Sequence, residues 1–254
     1  MILCIDVGNS HIFAGVFVED KLIFRFRHDT RQASTSDQLG VFLRMVLREN
    51  TIDPLKIKHI SISSVVPSLD HSLASACIKY FNIKPFFLQT GVKTGLKIRA
   101  NQVGADLIAG SIAAIKQFPD RNIIVIDFGT ATTYSVVNSD KEFLGAVIQN
   151  GINTSMKGLQ QNTANLPAVH IVKPKQCVGR SSEPCIQSGL YYGQLGAMRE
   201  INKNIIEEAF QGSPALVIGT GGFVNLFEQA DVFDVIIPDL VLHGTYLALQ
   251  MNNT

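Results

Sequence analysis

Two aspartates stand half a chain apart in nearly the same surroundings: Asp6 in ILCIDVGNSHIFAGV (2–16) and Asp127 in IIVIDFGTATTYSVV (123–137). In each, an apolar run ends in Asp. One hydrophobe, a Gly, a few small polar residues and a second apolar run follow. This pattern predicts a strand, a tight turn and a returning strand. A Gly two residues after the Asp lets the chain turn sharply and brings backbone N–H groups close to a ligand. Asn9, Ser10, Thr130, Thr132 and Thr133 add hydroxyl and amide donors. Such a turn could cradle phosphate. A carboxylate repels phosphate, so Asp6 and Asp127 fit there only as holders of cations, directly or through water. One copy of the motif is equally a plain strand connection. Two copies, with GTGG (Gly219–Gly222) after a third strand, favour a nucleotide lying against bare backbone. Other nucleotide and hydrolase signatures are missing: there is no GxxxxGK[ST], no HExxH and no GxSxG, and GTGGFV has Val224 where GxGxxG needs glycine.

The elements that must position these turns can be read from periodicity. Residues 1–29 form a meander of three strands, with Glu19 and Asp20 at the second turn. A helix follows from Ser36, with Leu39, Phe42, Leu43, Val46 and Leu47 on one face. HISISSVVP is a strand closed by Pro67, then come a helix from Ser68, a strand KPFFLQ and a helix over Gly104–Phe118. The pattern then restarts. Strands over Asn122–Asp127, Thr132–Val137 and Phe143–Ile148 precede helices over Thr154–Thr163 and Ile186–Glu208, the strand ALVIGTGG and a closing helix DLVLHGTYLALQ. The expectation is two related α/β domains, 1–118 and 119–254, without a flexible linker.

With 254 residues, 46% of them hydrophobic, and a mean hydropathy of +0.20, the chain can bury a sizeable core. The 22 Lys and Arg nearly balance 21 Asp and Glu, with no basic block, so neither nucleic acid nor a membrane surface is expected as a partner. No basic leader or long apolar span is evident, and Cys4, Cys77, Cys177 and Cys185 lack CxxC spacing. A cytoplasmic protein with free thiols is expected.

The arrangement resembles the actin, hexokinase and Hsp70 superfamily of ATPases, and within it most closely the type III pantothenate kinases. The matching motifs are DVGNS (6–10), TGLKI (94–98), VGADL (103–107), DFGTATT (127–133), GINTSMKGLQQNTANLP (151–167), SGLYYG (188–193) and TGG (220–222). The resemblance implies two actin-like (ribonuclease H-like) domains with an ATP cleft between them, and transfer of phosphate from ATP to pantothenate in coenzyme A biosynthesis. It implies that Asp6, Val7, Gly8, Asn9, Ser10, His11, Ile12 and Phe13 form the first phosphate loop, with Asp6 near magnesium. Asp127 would serve a monovalent cation, K+ or NH4+, and Thr130 would contact ATP. Asp106 would be the general base on pantothenate's primary hydroxyl, although an Asp at that place is otherwise an ordinary charge at a helix start. Gly104, Ala105, Asp106, Leu107 and Ser182 fall on substrate-binding positions. A homodimer, with each pantothenate site completed across the interface, is also implied.

Several positions depart from the family pattern. Leu107 stands where the family has an Arg that helps to hold pantothenate, and the stretch before it, KIRANQVGAD, is shorter and lacks the family's Tyr. Ser181-Ser182 replaces an Asn-Thr pair, and GAVIQNG has Ala146 and Asn150 for Gly and Pro. Arg99 or Arg180 could restore the missing positive charge. An alternative is a catalytically weakened nucleotide-binding homologue with a regulatory role, or a kinase for another small hydroxyl acceptor.

Overall fold

The two echoed segments fold as equivalent hairpins. In the computed structural model, which describes residues 1–32 and 35–253, β1 (Ile2–Val7) pairs antiparallel with β2 (His11–Val18), placing Asp6 opposite Phe13. β3 (Lys21–Asp29) extends that hairpin. After α1 (Ser36–Glu49), β4 (His59–Ser64) returns to run parallel to β1 on its other side. α2 (Pro67–Phe81) and β5 (Phe86–Phe87) complete the order β3-β2-β1-β4-β5. Pro67 opens α2 rather than ending the strand. At the first helical position its missing N–H leaves no helical bond unmade.

β6 (Lys97–Ile98) and α3 (Ala105–Gln117) come before the second copy. There β7 (Asn122–Phe128), β8 (Ala131–Val137) and β9 (Glu142–Asn150) form the meander, with Asp127 opposite Thr133. α4 (Ile152–Asn162) and α5 (Ser182–Ala209) lead to β10 (Ala215–Gly221), which runs parallel to β7. β11 (Val235–Ile236) and α6 (Leu240–Asn252) end the chain. The sheet order is β9-β8-β7-β10-β11, the same as in the first sheet, with β6 added outside β9. The sequence echo is therefore a repeat of topology.

Alternation along the strands sorts the cores. Leu3, Ile5 and Val7 point to one face of the first sheet and pack with Leu39, Leu43 and Leu47 of α1 and Leu73 and Ala76 of α2. Each fully buried Leu or Ile there contributes about 1.5–3 kcal/mol. The other face puts Cys4 and Phe17 against Leu242 and Tyr246 of α6. In the second sheet Ile124, Ile126 and Phe128 pack with Ile186, Leu190, Tyr191 and Met198 of α5.

Two compact units result: Met1–Leu96, Gln102–Ala113 and Leu240–Thr254 form one, and Lys97–Asn101 with Ala114–Asp239 form the other. The closing helix α6 thus groups with the first sheet, whereas a boundary drawn at 118/119 assigns it to the second half. The reason is its packing against Cys4 and Phe17.

Candidate active site

In the first unit the Gly8–Ser10 turn is tied from below. Gly8 N–H donates to the His11 carbonyl at 3.0 Å. Thr30, itself buried, donates its N–H to the Ser10 carbonyl (3.1 Å) and its hydroxyl to the Gly8 carbonyl (2.7 Å). Thr30 is a supporting residue that no motif signals; only the pairing of β2 with β3 brings it there. Asp6, Ser10 and Phe13 are half-buried and Asn9 and His11 are exposed. Val7 and Ile12 lie in the core, so only their backbone can serve a ligand. Register places Ser63 of β4 beside Asp6. The Ser63 hydroxyl is fully buried and has no hydrogen-bond partner among the described residues. An unmet polar atom at this strand end suits a bound hydrated cation or phosphate.

Asp106 comes to the same end of this unit. The segment leaving β4 is held to β1 by Val65 N–H donating to the Val7 carbonyl at 3.0 Å. Gly104 packs against Val65: a Cβ there would sit 3.4 Å from Val65 Cγ1 and only 2.5 Å from Asp106 Oδ1. Any side chain at 104 would displace the carboxylate. Asp106 sits in the first turn of α3, and its Oδ1 accepts the Leu107 N–H at 2.8 Å. Burial lifts its carboxyl above the ordinary aspartate value, and hydrogen bonds from the Leu107 N–H and its own N–H oppose that shift. A carboxylate kept basic in this way is suited to accepting a proton. Ala105 and Leu107 flank it, both half-buried.

The second unit repeats the turn with different support. Gly129 N–H donates to the Ala131 carbonyl at 3.0 Å. The Thr130 carbonyl accepts from the Gly151 N–H (3.1 Å) and the Thr154 hydroxyl (2.6 Å), so the start of α4 braces the turn. Register sets Thr220 beside Asp127. One residue on, Gly221 has φ +90°, and a Cβ there would collide with Asp127 Oδ1 and the Phe128 N–H. The TGG motif therefore lets bare backbone lie against the Asp127 carboxylate.

Ser182 is the exposed first residue of α5, in the second unit. Arg99 is committed elsewhere: its guanidinium pairs with Glu142 at 2.5 Å on the β6–β9 edge, which lowers the Glu142 carboxyl. Arg180 is exposed. Among the described residues no three His, Cys, Asp or Glu converge to hold a metal. A single Asp suits magnesium, which keeps most of its waters and takes phosphate oxygens for the rest. A hollow of about 320 Å³ in the second unit is lined by Gln149, Ser155 and the Gly189, Leu190 and Gly193 of the SGLYYG motif. Another, of about 550 Å³, lies by Met1, Phe17, His59 and Tyr246 at the opposite end of β1 from Asp6. It is remote from the turn chemistry.

Comparison with known proteins gives a consistent result. The family model for type III pantothenate kinase matches residues 2–204. A type III pantothenate kinase of Legionella pneumophila (strain Corby) is 54% identical over 255 residues, covering 99% of each chain. One from Elusimicrobium minutum (strain Pei191) is 48% identical, covering 100% of each. Among solved structures, a protein assigned as a 2-dehydro-3-deoxygalactonokinase from Sinorhizobium meliloti matches with a TM-score of 0.61 at 13% identity, covering 98% of this chain and 96% of that one. At that identity the likeness shows the sugar-kinase, actin-like fold alone.

Proposed function

The chain belongs to the type III pantothenate kinase family, and on that premise we propose that it phosphorylates pantothenate to 4'-phosphopantothenate with ATP, the first step of coenzyme A biosynthesis. The observation that carries the reading is Asp106, a buried carboxylate with raised proton affinity at the end of the first unit that also presents the Asp6 turn. Asp106 takes the proton from pantothenate's primary hydroxyl as that oxygen attacks the γ-phosphorus in line. Little covalent work falls to the protein in such a transfer, so positioning and charge dominate. Gly104, Ala105, Leu107 and Ser182 are assigned to pantothenate. Asp6 through Phe13, with Thr130, are assigned to ATP.

Asp6 would hold magnesium, directly or through water, and the ion would supply positive charge to offset that of the ATP phosphates. Asp127, with the Gly221 backbone against it, is assigned to K+ or NH4+. The protein acts as a homodimer, in which a partner copy completes the pantothenate site. No helix among the described residues is long and apolar enough to cross a membrane. A cytoplasmic location, where ATP is available, suits the four free thiols.

ADP release, measured by a coupled assay with and without pantothenate and in potassium or sodium, tests this. Release that depends on pantothenate and on potassium is expected. ADP release indifferent to pantothenate would turn the reading toward another acceptor, and equal rates in both salts would remove the Asp127 assignment.

A further inference from the structure

Asp6 does not stand alone on its face of the first sheet. Register pairs Asp6 with Phe13 across β1 and β2, and Phe13 with Arg27 across β2 and β3. Directly paired residues present their side chains on the same face, so Arg27, Phe13, Asp6 and Ser63 form one row across four strands. The row is undistorted, because the β2–β3 irregularity lies further along, between Val16 and Phe17. At its end the Arg27 guanidinium rests on the Phe13 ring, 4.3 Å from the centroid. Arg27 is exposed, and among the described residues no carboxylate pairs with it. Three other arginines, unlike Arg27, are held by partners: Arg44 by the Tyr80 carbonyl, Arg99 by Glu142 and Arg199 by the Ala230 carbonyl.

Resting on the reading of this turn as an ATP phosphate loop, we propose that Arg27 is a further nucleotide-binding residue, whose guanidinium takes oxygens of the polyphosphate chain while Phe13 holds it in place. Adjacent strands are about 4.8 Å apart, so Arg27 and Asp6 originate roughly 10 Å from one another, a span that a triphosphate with its cation can bridge. A fork of N–H donors matches two phosphate oxygens at once, and its charge offsets the repulsion of Asp6 for the same anion. The ring limits the directions in which the guanidinium can point, so less freedom is lost on binding.

The test is titration of the full-length protein with magnesium and a non-hydrolysable ATP analogue, with adenosine in parallel, on wild type, Arg27→Gln, Arg27→Lys and Phe13→Leu. Arg27→Gln is expected to weaken binding of the analogue about 10-fold and leave adenosine unchanged. Arg27→Lys keeps the charge but not the fork, so it should lose several-fold. Phe13→Leu should fall between wild type and Arg27→Gln, because the guanidinium remains but is no longer held. Wild-type affinity for the analogue in both arginine variants overturns the proposal, and so does an equal loss for adenosine. No step of the test requires pantothenate. A wild type that binds the analogue but does not phosphorylate pantothenate therefore defeats the functional reading and leaves the Arg27 comparison intact.

Discussion

Asp106 is held by three local features: Gly104 leaves room for its carboxylate, the Leu107 N–H binds one oxygen, and burial disfavours its ionised form. Replacing it with Asn keeps the shape and the hydrogen bond but removes the base. Turnover should fall about 10²–10⁴-fold, with ATP binding nearly unchanged. If Asp106→Asn retains more than half of the activity, the residue is structural. The same burial has a consequence for stability. The folded carboxyl binds its proton more tightly than the unfolded one, so the folded state gains relative stability at low pH. That gain is lost as pH rises from the unfolded value through the raised folded value. Asp106→Asn should therefore flatten the decline of melting temperature across the acid range and leave the variant no less stable than wild type at neutral pH.

The same contrast separates Gly221 and Gly222 at the level of the strand end. Gly221 ends β10 with φ +90° and its backbone against Asp127, whereas a Cβ at Gly222 would meet only the Phe128 carbonyl, at an ordinary 3.8 Å. Gly221→Ala should lower stability by about 1 kcal/mol or more from the backbone alone, and it should weaken ATP binding by moving the carboxylate. Gly222→Ala should leave the melting temperature within error of wild type. Equal melting temperatures for the two variants would contradict the close approach of β10 to β7. Much at this scale was legible in the sequence. Both strand–turn–strand units, the α1 face with Leu39, Leu43 and Leu47, and the helix expected over Gly104–Phe118 and found as α3 over Ala105–Gln117 follow from local periodicity and turn residues. Contacts between distant segments were not. Gly221 meets a residue nearly a hundred positions earlier, β6 is two residues long and exists only through its pairing with β9, and the Arg27–Phe13 stack depends on hairpin register. None of these leaves a periodic trace, and KPFFLQ shortened to Phe86–Phe87 because only two residues find partners on β4.

Across the whole molecule the repeat has diverged in what supports each turn. Thr30 ties the first turn, and the start of α4 braces the second. Asp106, the proposed base, lies in the first turn of α3, which precedes the second copy of the meander. Exposed Ile148, Leu159 and Tyr192 in the second unit are apolar groups that a second copy could cover. Light scattering that gave the 27.8 kDa mass of one chain would remove the homodimer from this account. At Leu107 no described contact puts a positive charge where a carboxylate-bearing acceptor would need one. The product formed by the protein is 4'-phosphopantothenate. Its identity is tested most directly by phosphorus NMR of a reaction containing the protein, magnesium-ATP, potassium and pantothenate. The account predicts loss of the γ-phosphate signal with matched growth of one phosphomonoester coupled to the protons of pantothenate's primary carbinol carbon. Growth of free phosphate alone, or of an ester elsewhere on the molecule, would contradict it.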